Sequence, residues 1–428
     1  MLDPRMIRNE PELVAEGLAA KQVDVDMQAL TAMEEKRRSL IAETEEQKRQ
    51  LNVASESISL LKKEGKDASE AISDTRTISD RVKELDSELS SLQALFNEAL
   101  LALPNLPDPK APIGASPEEN VVGEMWGEKP EYGFELHDHV ELCRNLGLVD
   151  FEAATKMAGT GFILYTGAGA RLVRGLVNFM LDHQTTVNGY REVWPPTLVR
   201  SESMVGTGQL PKLADDMYKI EDEDLYLIPT AEVPVTNIHR ESILREENLP
   251  VSYAAYSACF RKEAGAHGAD TRGLIRVHQF DKVELVRFCE PEQSEEEHQL
   301  LLGHARSVLE LLGLHYRVIE LCTGDLSFAA RRCYDLELWS PASRRWLEVS
   351  SCSNFGDFQA RRANIRYRRS DDGKVAYVHT LNASGVAVPR LFIALLETFQ
   401  TEEGSVVIPE PLRPWMGGLS LLGPAGDG

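Results

Sequence analysis

The chain has 428 residues, 43% hydrophobic and 27% charged, and sets 46 Lys and Arg against 68 Asp and Glu for a net charge of −22. That length allows roughly two or three domains of ordinary soluble composition, and no apolar run approaches the ~20 residues a membrane span requires. So acidic a body excludes a general nucleic-acid coat, although a local basic strip still permits selective contact.

The first residues, MLDPRMIRNEPELVAEGL, carry Asp3, Glu10 and Glu12 and lack an apolar stretch. They predict neither a secretory signal nor an Arg-rich transit peptide, and hence a cytoplasmic protein. Six cysteines (Cys143, Cys259, Cys289, Cys322, Cys333, Cys352) form no CxxC pair. They read as reduced thiols, neither a disulfide frame nor a zinc knuckle.

Residues 26–100 contain no proline and one glycine, Gly65. Apolar or small residues recur at Leu30, Met33, Leu40, Leu51, Ala54, Ile58 and Leu61, interrupted by Arg37, Thr44 and Gln47. After KKEGKD the pattern resumes at Ile78, Val82, Leu85, Leu89, Leu92 and Phe96. This 3-4 spacing predicts two helices of about thirty residues folding back as an antiparallel coiled coil, each roughly 45–50 Å long. Lys36, Arg37, Arg38, Lys48, Arg49, Lys62, Lys63 and Lys66 alternate with acids, a solvated face when taken alone. The hairpin by itself would serve dimerisation or spacing.

Four prolines in LPNLPDPKAP, 103–112, end the helix and make a stiff linker. Beyond it, 172–190 predicts an amphipathic helix ending near Asn188-Gly189, and REVWPPTLV an extended segment at a sheet edge or domain contact. A helix is expected over 294–314, and HYRVIELC and CYDLELWS alternate as strands. Few obligatory crossovers separate the strands, which favours an antiparallel α+β sheet over a doubly wound one. The Gly-rich tail GLSLLGPAGDG is expected to be unstructured.

The most unusual stretch is FRKEAGAHGADTRGLIRVHQFDKVELV, 260–286, where Arg261, Lys262, Arg272, Arg276 and Lys282 crowd together. It reads as two antiparallel strands joined by a loop of three glycines and Asp270, too long for a tight hairpin. Ile275, Val277, Val283 and Leu285 would face the core; Arg276, His278, Phe280, Lys282 and Glu284 would face the other way, with Arg261 and Glu263 sharing a face on the first strand. A salt-bridged exposed face would leave Phe280 among charges without a reason. A nucleotide explains the set: Phe280 stacks on a base, Arg261 binds phosphate and Glu263 accepts from an exocyclic amine. Neither GxxxxGK[ST] nor a post-strand GxGxxG is present. In WLEVSSCSNFGDFQARR, Glu348 stands near Ser350 and Ser351, hard oxygen donors suited to Mg2+ bridging phosphates. In HTLNASGVAVPRLFIALLETFQ a polar strand enters a helix, with Pro389 in its first turn and Arg390 at an N-terminus that welcomes an anion.

These residues together resemble the seryl-tRNA synthetases of the bacterial and organellar type, nearly end to end: MLDPRMIRNEPELV, the helical arm, GTGQLPK (206–212), LIPTAEVPVTN (227–237), the 260–285 stretch, EVSSCSNFGDFQARRANIRYR, HTLNASGVAVPR and IPEPLRPWMGG (408–418). The resemblance implies a class II synthetase fold, an antiparallel sheet flanked by helices, in residues 106–428. An N-terminal helical domain, 1–105, would carry the coiled-coil hairpin. It implies a homodimer through the helix from about 172 and the strand ending in Pro196. It implies two steps, in which L-serine and ATP give seryl-adenylate and pyrophosphate, and the seryl group passes to the terminal ribose of tRNA-Ser, or of tRNA-Sec where present. The arm would then reach the long variable arm of the tRNA, read by shape and backbone.

Carried onto this chain, the resemblance makes Arg261, Glu263, Arg276 and Arg390 the catalytic set. Arg261 would hold the α-phosphate and the serine carboxylate, with Arg276 a further phosphate or substrate contact and Lys262 beside them. Glu263 would face the adenine amino group, Phe280 its ring, and Val277 would meet it through the backbone. Arg390 would cover the nucleotide near the γ-phosphate. The run Glu348, Val349, Ser350 and Ser351 would line the ATP site, Glu348 and Ser351 coordinating Mg2+. Thr230, Ala231 and Glu232, with Glu284, Asn382 and Ser384, would surround the serine. Three departures stand out: Ala383 for the family's usual glycine in Asn-Gly-Ser-Gly, Pro389 for a glycine before the arginine, and Gly161 where an arginine is common. A relative that binds RNA without aminoacylating would have lost Arg261, Glu263, Glu284, Glu348 or Arg390, and all five are present. A relative that loads a carrier protein would lack the arm and use zinc.

Overall fold

The computed structural model describes residues 1–263 and 272–423. The glycine-rich loop around Asp270 and the last five residues of the tail lie outside that set. The chain divides into two compact units, 1–106 and 107–428.

The first unit holds helices α1 (Pro4–Asn9), α2 (Pro11–Ala20), α3 (Met27–Lys63) and α4 (Ser69–Ala102). The Asp26 side chain caps α3 by accepting from the Ala29 N–H. With 37 and 34 residues, α3 and α4 run roughly 50–55 Å. The expected seam forms. Leu30, Leu40, Val82, Leu85 and Phe96 are buried, and Leu51, Ala54, Ile58 and Leu61 are half-buried between exposed neighbours. The interruptions are accommodated: Thr44 donates to the Leu40 carbonyl, and Arg37 pairs with buried Glu34 and lies over Phe96. Lys36–Glu88, Lys48–Asp86 and Arg81–Glu43 bridge the two helices. Exposed pairs of this kind add little stability each; they suit pairing register and solubility.

In the second unit, β1 (Val121–Trp126), α5 (His139–Asn145), α6 (Phe151–Ala158), α7 (Gly167–Thr186), β2 (Arg191–Val193), β3 (Leu198–Val199), α8 (Ser201–Thr207), β4 (Tyr226–Leu227), α9 (Glu232–Thr236) and β5 (Ile243–Arg245) come first. Then follow β6 (Val251–Phe260), β7 (Gln279–Cys289), α10 (Ser294–Leu311), β8 (Tyr316–Glu320), β9 (Arg332–Ser340), β10 (Arg345–Gly356), α11 (Phe358–Ala363), β11 (Arg366–Arg368), β12 (Val375–Tyr377), β13 (His379–Ala387) and α12 (Val388–Thr398). Eight strands form one sheet in the order β1-β8-β9-β10-β13-β7-β6-β2. Every pairing is antiparallel except β2 on β6 at the edge, where REV of REVWPP was expected. The architecture is α+β.

One face of the sheet is apolar. Val283, Leu285, Leu336, Leu338, Leu381 and Ala383 pack in one buried cluster with residues of α7, α10 and α12, such as Leu176, Leu309 and Phe392. Alternation then delivers the even-numbered residues of β7 to the opposite face. No helix among the described residues is long and apolar enough to cross a membrane. All six cysteines are free and buried.

Three local expectations need correction. The strands of the 260–286 stretch are shorter than the alternation implied. β6 stops at Phe260 and β7 starts at Gln279, so Arg261, Glu263, Ile275, Arg276 and Val277 lie in the connecting segments. Glu263 adopts φ 50°, a left-handed conformation incompatible with a strand. From Lys282 to Cys289 both faces of β7 are buried, because a second layer covers the polar side as well. The tail is not wholly unstructured: Leu421–Leu422 form a strand against Val406–Val407, and Leu422 is buried.

Candidate functional site

A cleft of about 620 Å3 opens over the polar face of the sheet. Arg261, Glu263, Arg276, Val277 and Phe280 form one wall, Glu348, Ser351 and Arg390 the other, and Thr230, Glu232, Lys282, Asn382 and Ser384 the floor. On the first wall the Arg261 guanidinium lies 5.1 Å from the centre of the Phe280 ring and donates through Nε to the Pro229 carbonyl at 3.3 Å. Arg276 Nη1 is 3.5 Å from Glu263 Oε2. Thus a cation, an aromatic ring and a carboxylate meet at one place, although no single strand carries them. Arg272 is turned away to Asp138 at 2.7 Å, and Lys262 is exposed with its ammonium 5.9 Å from the centre of the Tyr218 ring.

The floor is buried and charged. Glu284 is fully enclosed; it pairs with Lys282 and accepts from Thr230 Oγ1 at 2.8 Å and from Asn382 Nδ2 at 2.9 Å. Lys282 Nζ also donates to Thr230 Oγ1 at 2.9 Å and to Ser384 Oγ at 3.4 Å. Reading Lys282 as one of a row of surface cations therefore fails; it is an internal counter-ion, 5% exposed. Glu232, next to fully buried Ala231 at the start of α9, receives a hydrogen bond from Gln359 Nε2 at 2.6 Å. Gln359 is in turn held by Thr380 and by the Thr207 carbonyl. The Lys282 ammonium is thus matched to Glu284, and Glu232 is held by an amide instead. Burial, and after it the charge of Glu284, pushes the Glu232 carboxyl up to about 7.

That shift has a stability consequence. A carboxyl raised in the folded state adds stability below its ordinary value of 4.5 and loses it as pH rises through about 7. In the ligand-free protein Glu232→Gln should melt at the wild-type temperature near pH 5. It should melt progressively higher than wild type towards pH 8, as differential scanning calorimetry would record.

On the second wall β10 carries a bulge between Glu348 and Ser350. Glu348, Ser351 and Ser353 line the cleft and pair across the ladder with Glu337, Asp335 and Cys333. Ser350 is 1% exposed on the other face, opposite Leu336, and donates to the Ser384 carbonyl at 2.5 Å. It does not join the wall, contrary to expectation, whereas Val349, at the bulge, lines it. Asp335, which sequence reasoning missed, is pushed well above the usual carboxylate range by burial and by Glu348. Ser351 Oγ is 3.1 Å from the Cys333 thiol. Arg390, in the first turn of α12 behind Pro389, donates Nη1 to the Glu348 carbonyl at 2.7 Å and Nε to the Ile275 carbonyl at 3.2 Å. Among the described residues no three His, Cys, Asp or Glu side chains cluster to hold a metal by themselves.

Residues 1–107 match the Seryl-tRNA synthetase N-terminal domain, and 218–399 the tRNA synthetase class II core domain (G, H, P, S and T). A serine–tRNA ligase from Caldanaerobacter subterraneus subsp. tengcongensis is 52% identical over 97% of this chain and 98% of its own length. One from Geobacillus kaustophilus is 51% identical over 99% of this chain and the whole of its own. The crystal structure of seryl-tRNA synthetase from Pyrococcus horikoshii complexed with ATP superposes with a TM-score of 0.92 at 35% identity, covering both chains completely.

The chain belongs to the seryl-tRNA synthetases. It is a class II aminoacyl-tRNA ligase that joins serine to tRNA. The synthetase's geometry accounts for its three departures from the family pattern. Gly161 sits at φ 82°, and its carbonyl accepts the His278 N–H at 2.8 Å. A Cβ at Gly161 would stand 2.6 Å from the His278 ring, so here the backbone itself ties down the segment following Val277. Ala383 is buried on the apolar face of β13, where a methyl is packed rather than exposed. Pro389 occupies the first turn of α12, where no N–H is needed.

Proposed function

We propose that the cleft of this synthetase forms seryl-adenylate from L-serine and ATP and then passes the seryl group to tRNA-Ser. The observation that carries this reading is the unequal charge of the floor, with Glu284 matched by Lys282 and Glu232 left for the ammonium of a small amino acid. Thr230, Asn382 and Ser384 complete a polar pocket around the serine hydroxyl and amine. An analogue lacking the hydroxyl leaves buried polar atoms unpaired, which discriminates more strongly than bulk can. Arg261 faces both halves of the cleft and is assigned the serine carboxylate and the α-phosphate. Phe280 and Glu263 are assigned the adenine ring and its amino group, with Val277 in backbone contact, and Arg276 and Arg390 the phosphates.

In the first step a serine carboxylate oxygen attacks the α-phosphorus, the bond from phosphorus to the bridging oxygen breaks, and pyrophosphate leaves. In the second, the terminal ribose hydroxyl of the tRNA attacks the seryl carbonyl and AMP leaves. No side chain is needed as nucleophile; positioning and charge neutralisation by the arginines supply the rate. Glu348 and Ser351 fit Mg2+, because they are hard oxygen donors too few to bind a cation tightly without phosphate oxygens. When bound, Mg2+ offsets phosphate charge.

The arm is assigned to tRNA, including tRNA-Sec where present. Exposed Arg38, Lys62 and Lys63 along α3 support this. A homodimer is assigned through the helix from about 172 and the extended segment ending in Pro196, where Trp194 is 77% exposed, and a cytoplasmic location is assigned with it. ATP–pyrophosphate exchange measured across the twenty amino acids tests the reading. Serine should drive exchange well above all others, and stronger exchange with any other amino acid would overturn it.

A further inference from the structure

The segment from Leu274 to Val277 forms much of the cleft wall, yet it belongs to no strand. It is held by a buried relay that the assigned chemistry does not use. The Leu274 N–H donates to His139 Nε2 at 3.3 Å. That nitrogen must therefore be unprotonated, and the ring proton lies on Nδ1, 3.3 Å from Glu397 Oε1. Glu397, fully buried near the end of α12, also accepts from the His139 N–H at 3.2 Å, from Ser340 Oγ and from the Ala342 N–H at 3.3 Å. Four donors fill its two oxygens. His139 itself is 4% exposed at the start of α5.

The neighbouring contacts act on the same segment. Asp138, the cap of α5, pairs with Arg272 at 2.7 Å. Gly273 has φ 66° and lies so close to the ring that a Cβ there would stand 2.3 Å from His139 Nε2. At the other end of α12, Arg390 Nε donates to the Ile275 carbonyl. Helix α12 therefore grips consecutive residues of the wall from both its ends, directly through Arg390 and indirectly through Glu397 and His139.

We propose that His139, fixed in its Nδ1–H tautomer by Glu397, is a positioning residue for the nucleotide half of the cleft. It holds Leu274, and through it Ile275, Arg276 and Val277, where ATP is received. This inference rests on the reading of the cleft as an ATP site. Substrate does not touch His139, and the serine floor does not depend on it, so its loss should separate the two substrates.

The test compares His139→Asn with His139→Gln in serine-dependent pyrophosphate exchange. Asparagine keeps a donor near Nδ1 for Glu397 but cannot reach Leu274; glutamine reaches the Leu274 N–H with its carbonyl. His139→Asn should raise KM for ATP about tenfold, the weight of one lost buried hydrogen bond. KM for serine should stay within about twofold, and His139→Gln should recover most of the ATP effect. An unchanged KM for ATP in His139→Asn, equal losses for ATP and serine, or identical behaviour of the two variants overturns the proposal. Should His139→Asn fail to fold, Gly273→Ala, whose Cβ would collide with the His139 ring, parts the same segment from the relay and must raise KM for ATP alone. Arg261→Ala run alongside keeps the two readings apart: undiminished exchange there refutes the ATP site itself, not the relay.

Discussion

Replacing Arg261 by alanine should lower serine-dependent pyrophosphate exchange by about a thousandfold or more, the scale set by removing a preorganised charge from a developing phosphoryl transition state. The fold should survive. Arg261 lies beyond the end of β6, and its guanidinium contacts are the Pro229 carbonyl and the face of Phe280. Neither is a core contact, so the melting temperature and oligomeric state should stay close to wild type. The defect should appear in kcat/KM for both ATP and serine, because one guanidinium is assigned to both. Near-normal exchange would remove Arg261 from its role and with it the reading of this wall of the cleft.

Deleting residues 30–100 should separate the two halves of the reaction. The second unit has its own eight-stranded sheet and its own buried cluster, so it does not borrow a core from α3 and α4. Pyrophosphate exchange should remain within a few-fold of wild type. Charging of tRNA-Ser should fall by two orders of magnitude or more, because the phosphate contacts assigned to the arm go with it. The loss should show chiefly in KM for tRNA. Unimpaired charging of full-length tRNA-Ser would strip the arm of its assignment.

Much of this was readable in the chain because it is local. The arm follows from spacing alone, and its buried or half-buried positions are the ones the 3-4 pattern marks, from Leu30 to Leu61 and Ile78 to Phe96. The clustering of Arg261, Glu263 and Phe280 was legible as chemistry, though not as geometry: alternation put Arg261 and Glu263 on a strand that ends at Phe260. What stayed hidden depends on partners distant in sequence. Lys282 looks like any cation until Glu284 and Thr230 close over it. Gln359 reaches Glu232 across 127 residues, and His139 reaches Leu274 across 135. Neither pairing leaves a periodic trace. Asp335 reads as one polar position of an ordinary strand, and only its pairing opposite Ser351 sets it beside a residue of the wall.

Ser350 was misplaced for a different reason. In a regular strand Glu348 and Ser350 point together and Ser351 points away. The single extra residue in β10 reverses this and sends Glu348 and Ser351 to the same side. The stretch is therefore phased like a reading frame: it tolerates exchange of one side chain for another far better than a change in how it pairs. Paired without the bulge, the same four residues would still spell the motif, yet Ser351 would turn into the greasy layer and leave the cation with half its cradle. The spelling of such a segment matters less than its pairing.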